Sequence, residues 1–253
     1  MTAGTGTVNQ PHQIRDLEIG ATLGRAFALI GRYPLKTFGL ALFVGALPMR
    51  ALSYCLQLEA DSGTRAGAVN LQQFFCYATL QTIIAGLLVG GVIFDGRPAI
   101  NLRRLPQLAA VGFLNALGQC IAAICLLVPY LFVVTRWSVV GAVAAGEEVG
   151  INAAFGRSSE LTEGARLRIF GVILASGVGQ TLLLMLGIVA LIPIVGQAKA
   201  TQDFSSEPLV FAVQLLCDML NFGFAASLQC ALYAALRERR HGPFTGNLSE
   251  IFA

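Results

Sequence analysis

Two residues of this 253-residue chain carry charge where charge is least expected: Arg136, within "LLVPYLFVVTRWSVVGAVAAG" (126–146), and Asp218, within "QLLCDMLNFGF" (214–224). In hydrocarbon a central arginine costs from about 2.5 kcal/mol upward, so each charge asks for a counter-charge. Gln214 lies one turn before Asp218 and Asn221 one turn after it, so the three share a helix face and could satisfy leftover donors. Counting about 1.5 Å per residue from Pro129 and Pro208 puts Arg136 roughly 10 Å deep and Asp218 roughly 15 Å deep. These heights predict an Arg136–Asp218 ion pair, with Gln214 and Asn221 completing an intramembrane polar cluster. Arg50 is the rival partner, although its place late in its own apolar run lets it reach toward the nearer interface. Such a pair could set helix register or mark a ligand or ion cavity, and a third use for Arg136 is to snorkel or to bind a lipid phosphate.

Little else in the chain suggests a reaction. There is no HExxH, no GxSxG and no phosphate loop, and the histidines, His12 and His241, lie in polar tails. Glu147 and Glu148 are adjacent, but neighbours on a helix point about 100° apart and make no carboxylate dyad. The six cysteines form no CxxC pair and sit in or at the ends of apolar segments, which suits free thiols packed as small hydrophobes. No catalytic residue, metal site or cofactor is expected, and the chain reads as not an enzyme. The polar residues Gln81, Asn115, Gln119, Ser176 and Gln180 read as interhelical hydrogen-bonding groups.

The elements that would position these residues follow from composition. Hydrophobic residues make up 55% of the chain and charged ones only 12%, far from the roughly 25% charged of soluble domains. Six apolar stretches are long enough to cross about 30 Å of hydrocarbon. They fall near 37–57, 74–94, 107–127, 128–146, 168–195 and 208–235. The third and fourth run together, and a hairpin at Pro129 divides what would otherwise be one helix about 60 Å long. With that hairpin the basic residues sort by side. Arg15, Arg25, Arg32, Lys36, Arg97, Arg103, Arg104, Arg157, Arg166, Arg168, Arg237, Arg239 and Arg240 share one side, while Arg65 and Lys199 fall on the other. By the positive-inside rule both termini are cytoplasmic. A five-span alternative, with a single long third helix, would send Arg157, Arg166 and Arg168 outward. A net charge of +3 decides nothing about nucleic acid alone, but this distribution points to a membrane surface and no nucleic-acid partner. The early charged residues leave no room for a signal peptide at the start.

A shift of 132 residues lays "IGATLGRAFALIGRYPLKTFG" (19–39) over "INAAFGRSSELTEGARLRIFG" (151–171) without a gap, and "RLP" (104–106) resembles "RYP" (32–34). The expected fold is therefore an all-α polytopic bundle of six transmembrane helices with cytoplasmic amphipathic interfacial helices and internal repeats. Its single domain divides into a tail (1–13), units at 14–97, 98–147 and 148–241, and a second tail (242–253). In the first unit Ile19, Leu23, Ala26, Phe27 and Ile30 form a helical stripe that could lie on lipid or pack on the span ends. Arg25, Arg32, Lys36, Arg157, Arg166 and Arg168 are the candidate contacts to anionic headgroups.

The stretch from Arg136 to Gly171 also carries a resemblance. Arg136 and Trp137, followed by Ala154, Arg157, Ser158, Glu160, Leu161, Thr162 and Gly164, resemble bacterial proteins grouped with the membrane domain of glycerophosphodiester phosphodiesterases and with YciC-like inner-membrane proteins. The resemblance implies a fold and an inner-membrane location. The phosphodiesterase activity of such proteins belongs to a separate soluble barrel, for which this chain has no room. The expected function is a nonenzymatic accessory or scaffold module that packs against lipid, a membrane-protein partner or another copy. The alternative is a small transporter or permease with its site around Arg136 and Asp218.

Overall fold

The computed structural model describes residues 17–59, 66–92, 104–125, 127–147, 149–195 and 208–241. Among these there is no strand. Six helices or helix pairs are long and apolar enough to cross a membrane: Pro34–Ser53, Leu71–Gly91, Leu105–Cys125, Val128–Gly146, Arg166–Gly187 and Val210–Arg240. The chain is a multi-pass membrane protein. The two tails lie outside the described residues, as do Arg65 and Lys199.

α1 (Ile19–Arg32) precedes the first span, which is assembled from α2 (Pro34–Leu40), a π-helical turn (Ala41–Ala46) and α3 (Leu47–Glu59). Pro48 accounts for the π turn. It has no N–H to give the Val44 carbonyl and its ring crowds that carbonyl, so the helix widens just before it, and the Leu47 N–H bonds Leu42 O instead. The extra residue turns everything downstream by about 100° relative to a continuous α-helix. Gly45 then lets the widened turn approach its neighbours: a Cβ there would lie 2.8 Å from Ile84 and 2.9 Å from Phe222.

Span two is α4 (Ala66–Val92) and span three is α5 (Leu105–Cys125). Span four is broken. α6 (Leu127–Arg136) packs back on α5, the helix is interrupted at residues 137–139, and α7 (Val140–Gly146) resumes it. Span three ends at Cys125 and span four begins at Leu127, so the chain reverses just ahead of Pro129, close to where the hairpin was expected. α8 (Ile151–Thr162) folds back beside α7, and α9 (Arg166–Val195) and α10 (Pro208–His241) form spans five and six.

Polar contacts gather one end of every span. Lys36 Nζ donates to Gly91 O at 3.3 Å, and Gln107 Nε2 to Val149 O at 2.6 Å. Arg25 pairs with Glu238 at 2.9 Å, Arg239 donates to Gly164 O at 3.3 Å, and Arg240 reaches Glu163 at 3.3 Å. The starts of spans one, three and five and the ends of spans two, four and six thus share a surface, which excludes the five-span alternative.

The core lies where α4, α7, α10 and the π turn meet, around Ile84, Leu88, Val143, Phe222 and Tyr233. Lipid tails are as apolar as leucine, so close approach of small residues does the work that water exclusion does in a soluble core. Gly112 and Gly141 accordingly sit against Thr79 and Thr82 of α4. In "GLLVG" (86–90) only Gly86 is used this way, against Leu108, while Gly90 has open space. Apolar side chains point outward along the remaining faces, including Ile124, Val128, Leu167, Leu182 and Leu186.

Candidate functional site

Asp218 is paired with Arg50, not with Arg136. Arg50 Nε donates to Asp218 Oδ2, and its Nη1 donates to Gln214 Oε1 at 3.2 Å. Tyr77 OH donates to Asn221 Oδ1 at 3.3 Å, and its ring stacks at 4.7 Å on Phe222. Gln73 Nε2 donates to Ser53 Oγ at 3.3 Å. The polar cluster therefore contains Asp218, Gln214 and Asn221 of α10 as expected, but its cation comes from span one and it is completed by Ser53, Gln73 and Tyr77. It lies in the half of the bundle opposite the shared charged end. The ion pair is mostly but not wholly covered, at 14% and 23% side-chain exposure, so its Coulombic gain is larger than that of a surface pair and its desolvation cost smaller than that of a dry one.

Adjacency explains the difference. α10 packs on α1, α4, α9 and the π turn, whereas α6 packs on α5, α8 and α9. Depth alone left both arginines eligible, and the π turn ahead of Arg50 brings its side chain onto the α10 side. The spacing of Gln73 and Tyr77 by four, and of Arg50 and Ser53 by three, was a usable signal for the other members of the cluster.

Arg136 serves a different junction. Its Nε donates to Ser159 Oγ at 2.6 Å, while its carbonyl, freed by the break in span four, accepts from Ser158 Oγ at 3.0 Å and Thr162 Oγ1 at 3.3 Å. Trp137 stacks edge-on against Phe155 at 4.9 Å and lies so close to Gly118 of α5 that a Cβ there would overlap the indole. The apolar run around Arg136 is therefore not a uniform lipid-facing span. Val140, Gly141, Ala142, Val143, Ala144 and Gly146 are all buried in protein, so the hydropathy of its second half is that of a core. Ala154 and Leu161 seat α8 on that core, and the turn into α9 passes through Gly164 at φ 75°, a conformation that favours glycine.

No family model, curated protein or solved structure matches this chain.

At the charged end most candidate headgroup arginines have partners within the protein. Arg25 holds Glu238, and Arg157 holds both Glu147 and Glu160 at 2.9 Å. Burial lowers the Arg157 pKa, but the hydrogen bonds and charges of Glu160 and Glu147 outweigh it and the pKa is raised, so the guanidinium stays charged throughout the working pH range. Lys36 lies 5.0 Å from the Tyr33 ring centroid, and Arg32 is 6.0 Å from it. Arg166 lies over Phe132 at 4.7 Å. Arg168 is also engaged. Glu147 points to Arg157, and Glu148 lies outside the described residues.

The other polar span residues divide. Gln119 donates to Asn115 at 3.2 Å and Ser176 to Ile173 O at 2.9 Å, so both are satisfied within their own helix and do not bridge helices. Gln81 is buried with neither amide atom hydrogen-bonded. All six cysteines are free thiols, and Cys230 donates weakly to Ala85 O at 3.6 Å. Among the described residues His, Cys, Asp and Glu do not gather in threes that could hold a metal.

Proposed function

We propose that this chain is a nonenzymatic inner-membrane module, an accessory or scaffold protein with both termini in the cytoplasm, standing with the free-standing proteins that its Arg136–Gly164 segment resembles. One observation carries the reading: the charged side chains within the spans hold internal joints. Arg50 and Asp218 tie spans one and six, and Arg136 ties the break in span four to α8. The location and orientation rest on the basic residues gathered at the shared end of the spans. Within the resembling pattern Arg136, Trp137, Ser158 and Thr162 meet at this joint, and the Gly164 carbonyl accepts from Arg239. Cross-linking in native membranes followed by purification tests the reading. A membrane-protein partner, or a second copy, is expected at fixed stoichiometry, and solute uptake by vesicles holding the chain alone would refute it.

A small transporter is the second reading, and Gln81 favours it. Its amide lies one turn below Tyr77 on α4, buried and without a partner, and a polar group in that state costs roughly 1–3 kcal/mol unless water or solute reaches it. In a background without native cysteines, Gln81→Cys reacts with a membrane-impermeant thiol reagent if an aqueous path runs from the Arg50–Asp218 cluster to mid-membrane. Protection of that thiol removes the transport reading.

A further inference from the structure

Arg136 and Arg166 converge on one aromatic ring. Their guanidinium carbons lie 5.8 Å and 4.7 Å from the centroid of Phe132, the first from the same helix and the second from the start of α9. Neither is neutralised by a carboxylate in the described contacts. Arg136 spends its Nε on the neutral Ser159 hydroxyl, and Arg166 Nε is buried with no acceptor. The nearby acidic groups are committed elsewhere, Glu147 to Arg157, Glu160 to Arg157 and Arg240, and Glu163 to Arg240.

Two like charges beside one ring repel each other, and a cation–π contact of about 0.5–2 kcal/mol does not replace a counter-ion. A buried N–H without an acceptor adds to the cost. A phosphate would answer both, because guanidinium forks match its oxygens in pairs. The flank is apolar and open: Phe132 is 43% exposed, Val128 75% and Leu167 86%. A soluble anion has no use for such a rim, whereas an acyl chain does.

We propose that Arg136 and Arg166 bind the phosphate of an anionic phospholipid, seated between α6 and α9 with its acyl chain along Val128 and Phe132. The site rests on the reading that this end of the bundle meets headgroups, and it sharpens that reading from a charged surface to a defined lipid position. Lipid there would bridge the broken fourth span and the fifth, both of which flank the α8 joint.

The test uses the full chain in a neutral detergent, titrated with phosphatidylglycerol or phosphatidylcholine, with bound lipid counted by native mass spectrometry. Trp137, the sole tryptophan, provides a second readout through quenching by lipids brominated in the acyl chain. Phosphatidylglycerol is expected to bind about tenfold more tightly than phosphatidylcholine, and Arg166→Gln to abolish the difference. Arg136→Gln also loosens α8, so Arg166→Gln, which removes no hydrogen bond described above, is the deciding variant. Arg32→Gln is expected to retain the preference, and millimolar inorganic phosphate is expected not to compete. Equal binding of the two lipids, an unchanged preference in Arg166→Gln, or displacement by inorganic phosphate would each overturn the proposal. Retention of a copurifying protein partner by Arg166→Gln would leave the accessory reading standing even then.

Discussion

An ionised group in hydrocarbon must find its partner among the side chains that its own helix faces, and Asp218 shows how narrowly that choice is made. Arg136 is held at the α8 joint, whereas Arg50 follows the π turn that packs against α10 and so reaches Asp218. Asp218→Asn should therefore strand the Arg50 charge and lower stability by roughly 1–3 kcal/mol, less than for a fully dry pair because both side chains keep some exposure. Reversal of the pair, Arg50→Asp with Asp218→Arg, is expected to recover part of that loss in unfolding experiments in detergent micelles. Arg136→Asp with Asp218→Arg recovers nothing and adds a second lesion at the α8 joint. Recovery by that second swap would mean that the helices are arranged differently. Gln214, Asp218 and Asn221 were legible as one polar face because helical spacing alone places them together. The identity of the cation was not legible, since spacing along one helix says nothing about which helix lies across from it.

The informative element is the broken fourth span with α8 folded beside it. A continuous apolar run conceals two environments, α6 toward lipid and α7 inside protein, and hydropathy cannot separate them because both favour the same residues. The break leaves the Arg136 carbonyl without its helical donor, and the hydroxyls of Ser158 and Thr162 supply the replacement. Ser158→Ala with Thr162→Ala leaves that carbonyl unsatisfied, at a cost of roughly 1–3 kcal/mol. Hydrogen exchange should show faster exchange across α8 and the turn at Gly164, with α4 and α10 unchanged; unaltered exchange in α8 would mean that its apolar contacts alone hold it. α1 resolves a choice the sequence left open. Its Thr22, Ala26 and Leu29 face is buried, Ala26 in a cluster with Val172 of α9 and Leu228 and Ala231 of α10, while Phe27 stays 60% exposed. The face that packs on the spans is thus offset from the expected stripe, of which Ala26 is buried while Ile19 and Phe27 stay exposed as an apolar edge.

At the scale of the molecule, the even number of spans returns the chain to the side from which it started, and the contacts from Arg25 to Glu238 and from Arg240 to Glu163 close that side. Reporter fusions after residue 5 and after residue 250 should respond as cytoplasmic, and a reporter inserted near residue 200 as external. Opposite responses from the two terminal fusions would require an odd number of crossings. Length, composition and the lateral sorting of arginine were enough to determine the all-helical class, the six crossings and the hairpin near Pro129, because transfer into hydrocarbon is a property of each segment by itself. Tertiary structure alone decided that Arg50 answers Asp218, that Arg136 anchors α8, and that Arg166 meets it across Phe132. Those outcomes depend on which helices are neighbours and how each is rotated, and a single π turn before Arg50 rotates a whole segment without leaving a mark on the hydropathy.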